Sequence, residues 1–228
     1  MIPPETVYTT QPPDPKNYLS ATRAIINLSG GLRPLTMNVG SKHLAADFAI
    51  CVGNSMLITD QYRELNAQLH NTNPNYGVSS SRWAPLVVEL SNKVGTRDIL
   101  DFGCGKGLLK NTLGWPIREY DPAIPGKDAR PEPADVVTCT DVLEHIEPEC
   151  LEHVLDDLQR LTRKVAFLNI ATRPAKKILA DGRNAHLIQQ QLPFWLPLLW
   201  QRFTILMVEN GPGEFNTIVA AKEWNPWG

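Results

Sequence analysis

Ile99-Leu-Asp-Phe-Gly-Cys-Gly-Lys-Gly107 reads as a short apolar strand running into a glycine-rich turn, with Lys106 to Leu113 continuing as a helix. That order suits a nucleotide-like ligand at a helix N-terminus. Backbone without Cβ atoms can be approached closely, and the first amides of a helix are unpaired. The spacing Gly103-x-Gly105-x-Gly107 differs from the dinucleotide fingerprint, which wants its third glycine one residue later. Asp101, two residues before Gly103, would repel a diphosphate and attract an ammonium group. Asp121 ends the next strand, 18 residues past Gly103, where a carboxylate can grip two ribose hydroxyls. Asp101 and the glycine spacing disfavour a nicotinamide-dependent oxidoreductase.

Outward from this stretch the pattern alternates. Ile117 to Tyr120, Asp135 to Cys139 and Val165 to Ile170 read as strands, and the apolar run at Asp135–Cys139 suits a strand buried on both faces. Pro148 opens a helix whose stripe is Leu151, Val154, Leu155, Leu158 and Leu161. Upstream, Thr59 to His70 reads as a helix. Ser79 to Ser81 are candidate caps for another helix, with Trp83, Leu86, Val87 and Leu90 on one face, ended by Gly95. Downstream, Phe203 to Glu209 and Phe215 to Ala221 flank a turn of hairpin type. Only 13 residues, four of them proline, separate Asp121 from Asp135, too few for a helix and a strand.

Ile99–Gly107 resembles motif I of class I S-adenosylmethionine (SAM)-dependent methyltransferases, and Asp135-Val-Val-Thr-Cys-Thr-Asp-Val-Leu-Glu-His145 resembles their strand-four segment. The resemblance covers residues 78–222. It implies an α/β fold: a Rossmann-like, mostly parallel sheet with helices on both faces and a C-terminal antiparallel hairpin; the 13-residue, proline-rich stretch departs from that pattern and leaves a shortened strand-2 to strand-4 region. The resemblance also implies SAM as cofactor. Asp101, Phe102, Gly103, Cys104, Gly105 and Gly107 would line its methionine end, and Asp121 with Pro122 would hold the ribose. Asp128 would lie near the adenine, and Thr140, Asp141, Val142 and Leu143 beside the transferred methyl.

Methyl transfer needs alignment of nucleophile and methyl, and sometimes removal of a proton. His186, His145 and Asp141 are the candidate catalytic groups, His186 as base. No metal is expected. No His/Cys cluster has zinc spacing, and Asp141-x-x-Glu144-His145 carries the shorter aspartate where metal-assisted O-methyltransferases have Glu-x-x-Glu-His. His43, His70 and His153 carry no signal. Tyr76 precedes the domain where members of this superfamily often have a lid.

Residues 1–20, with five prolines, read as a disordered N-terminus; 21–77 as an extension, a small α+β subdomain or a lid; 78–228 as the methyltransferase domain. Short strands are expected at 23–29 and 48–52. Leu192 to Trp200 is the most apolar short run, interrupted by Pro193 and Pro197 and far below the roughly 20 residues of a membrane-spanning helix. Cys51, Cys104, Cys139 and Cys150 form no CxxC pair, which suits a reducing, cytoplasmic setting. The net charge of −2 gives no global attraction for nucleic acid, although Arg160, Arg163, Lys164, Arg173, Lys176, Lys177 and Arg183 are clustered in sequence. The expected activity is transfer of methyl to an oxygen or nitrogen of a small-molecule or sugar-like acceptor. The alternatives are a nucleic-acid methyltransferase and a SAM-binding module without transferase activity. No membrane partner is expected, and nothing in the sequence indicates an oligomeric state.

Overall fold

The computed structural model describes residues 56–74 and 76–225. The expectations for 1–20, 23–29 and 48–52, and Cys51 and His43, lie outside them. Helix α1 spans Asp60–Thr72, capped by the Thr59 side chain, which accepts from the Tyr62 amide. A 3-10 turn, Ser79–Trp83, leads into α2, Ala84–Val94, closed by Gly95 in the left-handed conformation. The serines do not cap α2 by a side-chain hydrogen bond. Ser79 instead donates from Oγ to Asp141, because tertiary pairing at the sheet edge competes for the hydroxyl. Then follow β1 (Ile99–Phe102), α3 (Leu108–Leu113), β2 (Arg118–Tyr120), β3 (Ala134–Thr140), α4 (Leu151–Leu161), β4 (Thr162–Ala171), α5 (Leu192–Arg202), β5 (Phe203–Gly211) and β6 (Glu214–Ala221).

The sheet order is β2-β1-β3-β4-β6-β5. The first four strands are parallel, and β6 pairs antiparallel with both β4 and β5. The alternating pattern therefore produces a Rossmann-like sheet with a reversed C-terminal hairpin. Residues 121–133 contain neither helix nor strand, which is the shortened unit that the prolines dictate. Leu100, Phe102, Val137, Cys139, Ala166 and Leu168 point into one core layer with the whole predicted stripe of α4. On the opposite face Trp83 packs edge-on against Phe167, and Val87 and Leu90 of α2 are buried.

The run at Leu192 forms a helix despite its prolines. Pro193 sits in the first turn, where its missing N–H has no intrahelical partner to lose. Pro197 removes one hydrogen bond, offset by burial of Trp195 and Leu199 in the main core. Packing outweighs propensity here. Of the aromatic residues near this helix, Trp195 and Phe203 are core, whereas Phe194 and Trp200 are exposed. Among the described residues no helix is long and apolar enough to cross a membrane.

Candidate active site

The carboxyl ends of β1 to β4 release four loops over one edge of the sheet, the usual ligand edge of such folds. They enclose, with α1 and the loop after it, a cavity of ≈ 470 Å³, within the roughly 300–1,000 Å³ of small-molecule sites. Gly103, Cys104, Gly105, Asp121, Pro122, Thr140, Asp141, Val142, His145 and His186 all lie on its wall. Asp101, Phe102, Gly107, Asp128 and Leu143 do not. Phe102 and Leu143 are core residues. Asp128 is exposed and accepts from the Gly126 amide within its own turn.

The glycine loop is shaped by sterics. Gly103 has φ +73°, and a Cβ there would fall 2.3 Å from a methyl of Val142. Gly105 has φ +52°, and a Cβ there would meet the Gly77 carbonyl oxygen at 2.9 Å. Side chains are disfavoured at both, by conformation and by space. Asp121 fastens the loop. Its Oδ2 accepts from the Gly105 amide at 3.0 Å and its Oδ1 from the Ala123 amide at 3.0 Å. Each carboxylate oxygen keeps a further lone pair for the cavity.

Asp101 lies beneath the loop. Thr138 donates to its Oδ1 at 2.9 Å, while Oδ2 is buried without a partner. Burial raises its pKa to about 7, against the lowering effect of the Thr138 hydrogen bond. Thr140 Oγ1, on the cavity wall, is also buried and unpartnered. A cofactor with an amino-acid tail and a sugar fits these residues: bare backbone, a buried acid lacking a partner and a carboxylate at the next strand end.

The opposite wall carries the imidazoles. His145 Nδ1 donates to the Ala185 carbonyl at 2.7 Å and His186 Nδ1 to the Arg173 carbonyl at 2.6 Å, leaving each Nε2 as a lone pair. The rings meet edge to face with centroids 4.8 Å apart. Burial first, then the neighbouring His186, lowers His145 to about 4; burial also lowers His186. His145 is therefore neutral at neutral pH. Asp141 has φ +53°, an uncommon conformation for a residue with a side chain. Arg82, 3.6 Å from its carboxylate, and Ser79 hold it there. Such local strain clusters at functional sites.

Sequence reasoning missed much of the upper wall. Tyr62, Asn66 and His70 of α1 line the cavity, as do Ser80 and Arg82. Tyr62 Oη donates to the His145 carbonyl at 2.6 Å, Tyr76 Oη donates to Asn66 Oδ1 at 2.8 Å, and the His70 ring packs on Tyr76 at 4.6 Å. The usable signal was the Tyr76-Gly77 pair close after a helix. The basic cluster separates in space. Arg173, Lys176 and Lys177 line the cavity. Arg160, Arg163, Lys164 and Arg183 are paired with Asp157, Asp98, Asp135 and Asp181, which removes them as a free patch. Cys104, Cys139 and Cys150 are buried free thiols.

A glycine turn at the end of β1, an acid at the end of β2 and a reversed last strand define a class I SAM-dependent methyltransferase. A family model described as a methyltransferase domain matches residues 76–203, more than half the sequence. The chain belongs to that family. Among solved structures it is similar to the 1,6-didemethyltoxoflavin-N1-methyltransferase of Burkholderia thailandensis, bound to 1,6-didemethyltoxoflavin and S-adenosylhomocysteine. The TM-score is 0.54 at 14% identity, over 71% of this chain and 87% of that one. It is similar also to DhpI in complex with S-adenosylhomocysteine, with TM-score 0.50, 16% identity, and 75% and 97% of the two chains covered. A SAM-dependent methyltransferase from Clostridium acetobutylicum gives TM-score 0.50 at 12% identity, over 68% and 97%. At these identities the likeness is one of fold. No curated protein matches the sequence.

Proposed function

We propose that the chain transfers a methyl group from SAM to an oxygen or nitrogen of a small-molecule or sugar-like acceptor bound in this cavity. The observation that carries the reading is the cavity's two-sidedness. Glycine-loop backbone and Asp121 form one wall, and two imidazoles with bare Nε2 atoms form the other. SAM, when bound, supplies an electrophilic methyl on a sulfonium. In this reading Gly103 and Gly105 admit the cofactor against the backbone, with Phe102, Cys104 and Gly107 shaping the loop. Asp121, beside Pro122, accepts from ribose hydroxyls. Thr140, Asp141 and Val142, backed by Leu143, flank the methyl, and Asp128, exposed on its turn, lies towards the adenine. His186, His145 and Asp141 face the acceptor, the imidazoles being uncharged and so able to accept its proton. Tritium transfer from labelled SAM into small molecules of a cell extract tests the reading. Calorimetric binding of S-adenosylhomocysteine with no transfer to any fraction would leave a cofactor-binding module instead.

Asp101 makes the cofactor step pH-dependent. Its carboxyl is neutral below about 7 and then offers no charge to the cofactor's ammonium. Affinity for S-adenosylhomocysteine is expected to rise by up to about tenfold per pH unit towards 7 and then level. Asp101→Asn is expected to flatten that profile in calorimetry. The same shift acts on stability in the opposite sense. The folded protein holds this proton from about pH 4 to 7 while the unfolded chain has lost it, so stability without ligand declines as pH rises through that window.

The Tyr76-Gly77 segment is the proposed lid. The Gly77 carbonyl accepts from the Lys106 amide at 3.3 Å, and Tyr76 is buried. Tyr76→Ala is expected to weaken S-adenosylhomocysteine binding about tenfold, the worth of one buried hydrogen bond. Unchanged affinity by calorimetry would refute the lid.

A further inference from the structure

Glu144, His145 and His186 place one ligand-capable atom each within 4.8 Å of one another. The first two belong to the short turn Leu143–His145 after β3, and His186 to the loop between β4 and α5. The two segments are stitched together: the Ile188 amide donates to the Glu144 carbonyl at 2.9 Å, and the His145 ring donates to Ala185. Both rings are tied by Nδ1 to backbone carbonyls, which can only accept. Each proton therefore sits on Nδ1, and Nε2 is the free donor atom, as in histidines pre-set for a metal. The hydrogen bonds of the two rings among the described residues run through Nδ1. Glu144 is fully buried. Its Oε1 accepts from the Ala171 amide at 3.0 Å, and its Oε2 has no partner. A buried carboxylate oxygen is rarely left so, and a cation would satisfy it together with the two lone pairs.

We infer that Glu144, His145 and His186 form a binding site for one divalent transition-metal ion at the acceptor side of the cavity. Two imidazoles and one carboxylate make a donor set for manganese, cobalt or zinc rather than for magnesium or calcium, which prefer oxygen throughout. Three protein ligands leave coordination positions open. Ligands about 2.1 Å from an ion stand at most about 4.2 Å apart, so the widest separation must close by some tenths of an ångström on binding, within reach of side-chain rotation. The absence of zinc spacing and the shorter aspartate at Asp141 argue in the sequence against a metal, and only the folded loop brings His186 beside His145.

The role of the ion rests on the proposed transferase reading and takes over from the imidazoles as proton acceptors, since their Nε2 lone pairs are then spent on the ion. It also narrows the acceptor. An amine bound to the ion would have its lone pair occupied, whereas a hydroxyl keeps lone pairs after losing its proton. The site thus selects an alcohol or phenol oxygen. The O–H proton leaves to solvent, and an oxygen lone pair forms the bond to the methyl carbon. The C–S bond breaks with its electron pair returning to sulfur, giving a methyl ether, S-adenosylhomocysteine and one proton.

The test uses full-length protein freed of metal by chelation. Titration with manganese(II), followed by calorimetry and by loss of the free-ion electron paramagnetic resonance signal, is expected to show one site per chain. Cobalt(II) should give visible absorption bands of a nitrogen- and oxygen-bound ion. His186→Ala and Glu144→Gln, checked for fold by circular dichroism, should each weaken manganese binding more than tenfold. Absence of saturable binding to the wild type, or one-site binding unaltered in both variants, would overturn the inference. S-adenosylhomocysteine binding is measured in the same chelated protein. If it persists while metal binding fails, only the metal site falls; if it fails too, the cofactor site falls separately.

Discussion

Replacing Asp121 with alanine is expected to weaken S-adenosylhomocysteine binding by about 10²- to 10³-fold. The carboxylate accepts from the amides of Gly105 and Ala123, and in the proposed reading also from the ribose. Hydrogen bonds to a charged group contribute roughly 1.5–3 kcal/mol each, and about 1.4 kcal/mol is tenfold in affinity. Two such losses reach the stated range. The variant loses twice over, because the loop amide that Asp121 fixes belongs to the residue whose backbone floors the cavity. Asp121→Asn retains one acceptor oxygen and should lie between the two. Calorimetry with S-adenosylhomocysteine at fixed pH measures both. Wild-type affinity in the alanine variant would remove Asp121 from the cofactor site.

Trp195→Ala is expected to cost about 3–5 kcal/mol of stability, read as a lower midpoint in urea with an unchanged slope. Trp195 is fully buried between α5 and the main core, and its indole N–H donates to the Gln190 carbonyl at 3.1 Å. Losing it leaves a large cavity and an unpaired carbonyl. Gln190 lies in the loop that carries His186, and Ile188 of the same loop belongs to the same core cluster. The damage should therefore spread to the acceptor wall and spare the glycine loop. Faster amide exchange at 183–191 than at 103–107 would show that polarity. A loss below about 1 kcal/mol would mean that α5 does not depend on this side chain.

By itself the sequence determined the sheet and the glycine-loop end of the cavity. Strand periodicity, the Gly103–Gly107 turn and the acids at Asp101 and Asp121 are local signals, each encoded within one strand and the turn after it. The prolines between Asp121 and Asp135 likewise announced the missing unit, since they forbid the helix and strand that would fill it. What escaped were features made by distant segments. The α5 helix forms against its prolines because Trp195 and Leu199 find a core. Ser79 turned from cap to partner of Asp141, and Tyr62, Asn66 and His70 reached the cavity only because α1 lies beside it. The Glu144–His145–His186 cluster exists because one loop folds back on another through hydrogen bonds from a ring and a backbone amide. Such juxtapositions depend on the free energy of packing the whole domain, and no periodicity along the chain records them.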